Sequence, residues 1–266
     1  MMKLLEEVLG RDGLRGGGSA GGSGRTILIK DCVETSGRFL LHHLIRTILM
    51  PKSPSPPSGP LFFLSLSEPF SHYDRILRKL GCNLVSQRDS NKFMFFDMLR
   101  LESVDKDEGK DGRLIDLYGV IHNAVKTSIY SQCNQGHFTI IVDDISLLEI
   151  VAHGDSDSVL DFLHYCQTLT SEEGCLLILL GHQDIYANME YDRFLSQVEH
   201  NSDVVINVEP LALGLATDVH GQLTVERKGI VDQQGQVGLK HHNFHFRIKE
   251  NCAEYFRPGS QISMNL

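Results

Sequence analysis

At 266 residues and 41% hydrophobic content, the chain can bury a sizeable core and suits one α/β domain with small appendages. Its net charge of −9 excludes a protein that binds nucleic acid alone through a broad basic face, but not one that contacts RNA within a larger assembly. No apolar run approaches the roughly 18 residues of a membrane span, and we expect no secretory signal at the acidic start around Glu6 and Glu7. The six cysteines share no Cys-x-x-Cys spacing, which indicates reduced, mostly buried thiols, no zinc site, and a cytosolic or nuclear protein.

The chain is predicted to divide into three parts. Residues 1–24 would form an N-terminal amphipathic helix and a glycine-rich linker, residues 25–258 one folded domain, and residues 259–266 a C-terminal tail. The glycine tract at 16–24 precedes a strand, whereas a phosphate-binding loop follows one, so we interpret it as a flexible linker. The proline-rich segment at 51–60 is predicted to be a surface loop.

Strands and helices alternate along most of the chain. Short apolar runs indicate buried strands at 26–29, 61–66, 93–99, 138–144, 175–181 and 203–208. Apolar residues at helical spacing indicate helices over 38–50, 71–80, 114–131 and 156–169, with a shorter helix after residue 144. Residues 102–113 are predicted to be a charged, solvated loop, and residues 185–200 a short helix or a mobile loop.

The pattern changes after residue 208. A hairpin is predicted around His220 and Gly221, residues 241–249 alternate between apolar and polar side chains, and residues 252–256 add a last strand. Alternating β and α elements followed by antiparallel strands are typical of a RecA-like domain. We therefore predict an α/β fold with a mostly parallel sheet, flanking helices and a C-terminal antiparallel β-hairpin extension.

The segment from residue 25 to residue 50 predicts a strand, a loop and a helix, the arrangement in which a P-loop lies. A working P-loop, Gly-x-x-x-x-Gly-Lys-Ser/Thr, wraps phosphates with backbone N–H groups, reaches them with its lysine and binds Mg²⁺ through the hydroxyl. Here Gly37 is kept, but Cys32 replaces the first glycine. Arg38 replaces the lysine and Phe39, which cannot coordinate a metal, replaces the hydroxyl residue. We interpret this stretch as a degenerate P-loop, with an ordinary strand-to-helix turn as the alternative.

The strand at 138–144 ends in Asp143 and Asp144 and resembles a Walker B strand, whose aspartate helps to hold Mg²⁺ beside the P-loop. The same pattern is a common way to cap a following helix. Because the loop lacks the Mg²⁺-binding hydroxyl, we favour the capping role for Asp144. No catalytic residue is predicted, and no cofactor is expected at the residues of the degenerate site: Gly37, Arg38, Phe39 and Asp143.

Histidines suggest a metal site as a further hypothesis. His42 and His43 are adjacent, so on a helix they point about 100° apart, which suits one metal ion poorly. His241 and His245 share a strand face and His242 lies opposite, but no carboxylate or cysteine completes a ligand set at recognisable spacing. We therefore expect no bound metal.

Several strings resemble subunit six of the Elongator complex. They are FSHY at 70–73, KLG at 79–81, VLDFLHYC at 159–166 and GLATDVHGQL at 214–223, together with the Val-Asp-Asp end of the 138–144 strand. The similarity runs from about Arg25 to Phe256, with the glycine tract and the proline loop as departures that look like insertions. The long string at 214–223 makes the resemblance fairly specific.

The resemblance implies a RecA-like subunit without a working P-loop. Such a subunit assembles with two paralogous RecA-like subunits, the fourth and fifth of the complex, into a hetero-hexameric ring that works with the remaining Elongator subunits. The complex modifies the wobble uridine of certain tRNAs, with the radical chemistry and the acetyl-CoA in another subunit. The resemblance also implies that the ring binds tRNA and uses ATP in its release. This chain would then supply interface and architecture in the cytoplasm, with the nucleus as a second compartment.

Two further expectations stay open at this level. Because RecA-like rings place nucleotide between subunits, Arg193 or Arg227 could lend a cation to a neighbour's site, although solvated surface arginines are the simpler interpretation. The alternative function is a divergent P-loop-type NTPase that binds nucleotide weakly through Arg38 and Asp143.

Overall fold

The computed structural model describes residues 24–51, 59–98, 112–132, 137–186, 192–211, 218–231, 237–250 and 252–259. The strands are β1 Arg25–Asp31, β2 Leu61–Ser65, β3 Phe93–Asp97, β4 Thr139–Val142, β5 Leu176–His182, β6 Val204–Glu209, β7 Gly221–Val231, β8 Val237–Lys249 and β9 Cys252–Phe256. The helices are α1 Arg38–Leu49, α2 Phe70–Lys79, α3 Leu84–Asp89, α4 Gly112–Gln132, α5 Ile145–Val151, α6 Ser156–Glu172 and α7 Asp192–His200, with a 3₁₀ turn at Gln183–Tyr186.

All nine strands form one sheet in the order β3-β2-β4-β5-β1-β6-β7-β8-β9. Strands β1 to β6 pair in parallel, and β7, β8 and β9 extend the sheet with antiparallel pairs. The central strand β1 is paired on both sides, with Ile27 opposite Ile178 and Val204. The predicted α/β fold, with a mostly parallel sheet and an antiparallel extension, is confirmed.

Hydrophobic cores lie on both faces of the sheet, which explains why consecutive residues in the middle of the central strands are apolar. Along β1, Ile27 and Ile29 pack into one core with α1 and α2, whereas Leu28 packs into the other with α4, α5 and α6. The first core continues under β7, β8 and β9 through side chains such as Phe246 and Tyr255. The antiparallel extension is therefore packed against the same helix that follows the degenerate P-loop.

One sequence prediction about local structure was wrong, and one helix was not predicted. No hairpin turn lies at His220 and Gly221, because Gly221 begins the long strand β7 and pairs with Phe246 of β8. A Cβ atom at this position would lie 2.6 Å from the Glu209 carbonyl oxygen, so the glycine permits close strand packing rather than a turn. The second miss is helix α3, which begins where the Asn83 side chain accepts a hydrogen bond from the Ser86 N–H at 3.2 Å.

Several predicted segments lie outside the described residues, including the N-terminal helix, most of the glycine tract, the proline-rich loop at 52–58 and the charged stretch at 102–111. The division into residues 1–24, 25–258 and 259–266 stays a prediction. Within the described ranges, no helix is both long enough and apolar enough to cross a membrane.

Candidate functional site

The candidate site lies at the carboxyl ends of β1, β4 and β5, the edge of a parallel sheet where ligands bind in α/β folds. As predicted, the loop after β1 leads directly into α1, with Gly37 immediately before the first helical residue. Strands β1 and β5 end in Asp31 and His182, and the Asp143–Asp144 pair directly follows β4. In nucleotide-binding proteins of this class, the same edge of the sheet holds phosphate and Mg²⁺.

Carboxylates of the same chain accept hydrogen bonds from backbone N–H groups of the degenerate P-loop. The Gly37 N–H donates to Oδ2 of Asp31 at 2.6 Å, and the Val33 N–H donates to Oδ2 of Asp184 at 2.5 Å. In a working P-loop such N–H groups are donors to phosphate oxygens. Here each of the two groups already has an internal anion.

His182 lies between two buried carboxylates. Its Nδ1 contacts Oδ1 of Asp31, and its Nε2 lies 3.1 Å from Oδ2 of Asp144. Asp31 and Asp144 are both buried, and the His182 side chain is 20% exposed. With a carboxylate at each ring nitrogen, the imidazole is best satisfied as a doubly protonated cation that donates to both.

The charge of His182 follows from this geometry. Hydrogen bonds to Asp144 and to Asp31 outweigh the effect of burial and raise the pKa of His182 to about 10. Burial raises the pKa of Asp144, but hydrogen bonds from His182 and Ser146 reverse that effect and hold its pKa below the ordinary value. The three strands thus meet around an imidazolium cation held by two carboxylates.

The two side chains that replace the P-loop lysine and hydroxyl also have internal partners. Nη1 of Arg38 lies 3.7 Å from Oε1 of Glu68, in the loop after β2. The ring of Phe39 packs against Phe246 of β8, with ring centroids 4.8 Å apart. At the position of a Mg²⁺-binding hydroxyl, the chain therefore has a ring that joins the antiparallel extension to the core.

Asp143, the Walker B-like aspartate, is a buried anchor for the loop after β2. Its carboxylate accepts hydrogen bonds from the Leu66 N–H at 2.7 Å, the Ser67 hydroxyl at 2.7 Å and the Tyr73 hydroxyl at 2.5 Å. Burial, followed by the charge of Asp143 and this hydrogen bond, raises the pKa of Tyr73. Five donors in all satisfy this carboxylate, so its role here is to fix the β2–α2 connection.

Asp144 caps helix α5, as predicted. Its side chain accepts a hydrogen bond from the Ser146 N–H at 3.0 Å. The same carboxylate also contacts His182, a second role that the capping pattern did not reveal.

The other candidate residues lie apart from this site. His42 and His43 are buried on α1, where burial lowers the pKa of His42 to about 4 and also lowers that of His43. On β8, His241 lies 3.6 Å from Glu226 and His245 packs edge-on against Phe256. Among the described residues, no group of three histidine, cysteine or acidic side chains has an arrangement suited to a metal ion.

Neither proposed cation donor belongs to the candidate site. Arg193 lines a groove between α6 and α7 together with Asp157, Asp161 and His200. Arg227 lies on β7 opposite Val204, and burial lowers the pKa of its guanidinium. Neither residue lies at the degenerate P-loop of its own chain, and a role for either one at a neighbouring subunit's site stays a prediction.

Sequence analysis missed Asp31, His182 and Asp184 as site residues. One signal was available. Asp31 and His182 each end a buried strand, and the carboxyl ends of parallel strands lie at the same edge of a sheet, so both side chains could be expected at that edge. They are 151 positions apart, and the sequence alone does not show that β1 and β5 are neighbours.

Comparisons with known proteins agree with this description. Solved structures with a similar fold include a KaiC-like protein from Pyrococcus horikoshii OT3, with a TM-score of 0.59 and 16% identity, covering 93% of this chain and 95% of that one. Another is an uncharacterised Pyrococcus horikoshii protein solved with an unknown peptide, with a TM-score of 0.63 and 14% identity, covering 89% and 93%. At these identities the likeness shows the RecA-like fold alone.

Sequence relatives identify the family. Elongator complex protein 6 of Homo sapiens is 29% identical over 252 residues, covering 89% of this chain and 91% of that protein. The protein of the same name in Mus musculus is 30% identical over 243 residues, covering 85% and 88%. The family model described as Elongation complex protein 6 matches residues 17–250. The chain therefore belongs to the Elongator complex protein 6 family.

Proposed function

We propose that this chain is a non-catalytic, architectural subunit of a RecA-like ring in the Elongator complex. The observation that carries the proposal is the internal occupation of its nucleotide site. Loop N–H groups donate to Asp31 and Asp184, and the cation between the strands is His182. The chain has the strand, loop and helix of a nucleotide-binding fold, but its own side chains form the hydrogen bonds that a nucleotide would form there.

Each internal partner opposes nucleotide binding for a physical reason. A phosphate would have to displace the carboxylates of Asp31 and Asp184, and both Asp31 and Asp144 would repel it. Phe39 offers no ligand to Mg²⁺ and is packed on Phe246. A site whose Val33 and Gly37 N–H groups already bond to carboxylates, and whose Phe39 offers no metal ligand, supports a structural role.

The assembly is the second part of the proposal. The partners would be Elongator subunits four and five, which are RecA-like paralogues, in a hetero-hexameric ring that joins the remaining Elongator subunits. The ring would bind tRNA and support modification of its wobble uridine, while this chain, with a net charge of −9, would not bind RNA by itself. The expected compartment is the cytoplasm, with the nucleus as a second site.

Mass measurement by light scattering tests the assembly. The purified chain is mixed with the two paralogues, with and without tRNA. We expect a particle of about six RecA-like subunits that binds tRNA, and no tRNA binding by this chain alone. A chain that remains monomeric and leaves tRNA binding by the paralogues unchanged would refute the proposed role.

A divergent NTPase is the alternative function, and one observation favours it. The Arg38 side chain is 32% exposed and its ion pair with Glu68 is long, so its guanidinium could meet a phosphate. Titration of the chain with labelled ATP and Mg²⁺ separates the two functions. Binding that Arg38→Ala abolishes, together with ATP hydrolysis by the purified chain, would favour the NTPase.

A further inference from the structure

Helices α4 and α6 share an exposed apolar surface on one face of the sheet. Both helices pack on the second core, and the centroid of the Tyr118 ring on α4 lies 5.2 Å from that of the Tyr165 ring on α6. Tyr165 is 50% exposed, and Ile115, one helical turn before Tyr118, is 62% exposed. The His122 ring adjoins that of Tyr118 at 5.8 Å. These four residues form the α4–α6 patch, a surface in contact with water that another apolar segment could cover.

The first 23 residues are joined to the domain close to this patch. At Gly24 a Cβ atom would lie 2.2 Å from the Thr170 carbonyl oxygen, so the backbone there lies against the end of α6. The Arg25 N–H donates to the Cys175 carbonyl oxygen at 2.8 Å, which fixes the start of β1 at the same place. On α6, Thr170 follows Tyr165 by about 7.5 Å along the helix axis.

Residues 1–10 have the sequence pattern of a helix with one apolar face. Leu4, Leu5 and Val8 recur at helical spacing, with Glu6 and Glu7 on the other side. A helix of this length is marginal in water by itself, so it needs a surface that covers its apolar face. Such a helix would be about 15 Å long, and the patch runs about 10 Å along α4. The segment and the patch therefore match in length and in chemistry.

The glycine-rich stretch at 11–23 is long enough to connect the segment to the domain. A glycine-rich linker of this length spans about 20 Å on average. Exposed aliphatic residues at the other edge of the sheet fit less well. Val33 lies beyond the carboxyl end of β1, whereas the segment is attached at the amino end, and the seven residues of β1 separate the two ends by about 23 Å. The attachment therefore favours the α4–α6 patch over that edge.

We propose that residues 1–10 fold as an amphipathic helix that docks on the α4–α6 patch of the same molecule. The apolar residues of this helix cover Ile115 and Tyr165, and its acidic residues face water. The docked helix lies away from the degenerate P-loop and needs no other subunit, so the proposal does not depend on the proposed function. It makes the first 24 residues part of the folded domain rather than a separate appendage.

A single tryptophan can report whether the segment is docked. The chain has no tryptophan, so Leu5→Trp places one fluorescent reporter on the apolar face of the segment. Acrylamide quenching of this reporter is measured in the folded full-length chain and in the same chain unfolded in urea. We expect several-fold weaker quenching in the folded chain, because the patch covers the indole ring. Leu14→Trp, in the glycine-rich stretch, is the matched control and should be quenched about as strongly in the folded chain as in urea.

Matched substitutions on helix α4 identify the docking surface. Ile115→Ser removes an aliphatic side chain from the patch, whereas Val120→Ser makes a similar change at a 55% exposed valine about 140° away around the same helix. In the Leu5→Trp chain, Ile115→Ser should raise the undocked fraction roughly tenfold, the factor that corresponds to about 1.4 kcal/mol of lost burial. Tyr165→Ser, on the other helix, should act in the same direction, and Val120→Ser should change nothing. Thermal melting checks that each variant is folded.

Three results would overturn the proposal. The first is quenching of Leu5→Trp that is as strong in the folded chain as in urea. The second is protection that Ile115→Ser and Tyr165→Ser leave unchanged, because the segment would then dock elsewhere. The third is protection that falls on dilution, because the segment would then dock on a second copy of the chain. None of these results involves another subunit, so each leaves the proposed ring function as it stands.

Discussion

Replacement of His182 by alanine should cause a large, pH-dependent loss of stability. The imidazolium is the cation between Asp31 and Asp144, two carboxylates that are both buried. Asp31 would keep its hydrogen bond from Gly37 and Asp144 would keep its bond from Ser146, but their charges would face each other without compensation. Removal of one partner from a buried ionic group typically destabilises a protein by about 3–5 kcal/mol.

The size of the effect can be worked out from the pKa of His182. Folding raises it from the ordinary 6.5 to about 10. Each pKa unit corresponds to about 1.4 kcal/mol, so the charged form contributes about 5 kcal/mol to the free energy of unfolding when it is fully present. This figure agrees with the range expected for loss of a buried ionic partner.

The sign of the pH dependence follows from the direction of this shift. A group whose pKa is raised on folding contributes its full stabilisation below its unfolded pKa, here below pH 6.5, and loses it as the pH rises toward 10. The difference in unfolding free energy between wild type and His182→Ala should therefore fall from about 5 kcal/mol at pH 6 to about 3 kcal/mol at pH 8. It should become small above pH 10.

Urea unfolding of both proteins between pH 6 and pH 10 measures this difference. His72→Ala is the control, because His72 is partly exposed and its contact with Glu68 is 3.5 Å long, so its loss should change stability little at any pH. A wild-type to variant difference that stays flat across the range would refute the reasoning. So would an NMR titration in which the His182 ring changes charge near pH 6.5.

Two other substitutions, and a third that serves as a control, test the packing around the site and the extension. Tyr73→Phe removes the hydroxyl that donates to Asp143 at 2.5 Å. Because four other donors remain, the free energy of urea unfolding should fall by only about 1–2 kcal/mol. An unchanged value would contradict the role of Asp143 as an anchor. Gly221→Ala places a Cβ atom 2.6 Å from the Glu209 carbonyl oxygen and should destabilise by about 1–3 kcal/mol. Gly119 lies inside helix α4, where an added Cβ would have no atom from outside its own stretch of helix backbone within 4 Å. Gly119→Ala should instead stabilise by about 0.5–1 kcal/mol, and an equal response at both glycines would contradict the packing argument.

The strands and helices of the parallel half were predictable because their signals are local. An apolar run such as that of β1 and a helical apolar face such as that of α1 depend on neighbouring residues in the sequence. The antiparallel half was harder to predict from the sequence. The Gly221 region looks like a turn, yet the close approach of Phe246 and of the Glu209 carbonyl explains the glycine, and this contact joins distant parts of the chain.

The sequence predicts where the site lies and which P-loop residues it lacks, but not the contacts that its side chains make. The exchange of the P-loop lysine and hydroxyl for Arg38 and Phe39 is visible in the sequence, because each has a fixed spacing from Gly37. The partners that fill the vacant positions come from elsewhere, with Asp184 151 positions from Val33. Residue spacing indicates what a site lacks, whereas its replacements depend on which strands are neighbours in the sheet.

From these contacts we expect that changing two side chains back to the P-loop residues does not create a nucleotide site. The double change Arg38→Lys with Phe39→Thr recreates the Gly-Lys-Thr end of a P-loop. We expect it to bind no Mg²⁺-ATP in a fluorescence titration, because Asp31 and Asp184 still occupy the loop N–H groups. It should also lose stability, about 2–4 kcal/mol, because the Phe39 ring no longer packs on Phe246. Micromolar ATP binding by the folded double variant would contradict this expectation. It would mean that phosphate displaces the two carboxylates easily, and that Arg38 and Phe39 alone prevent nucleotide binding in the wild-type chain.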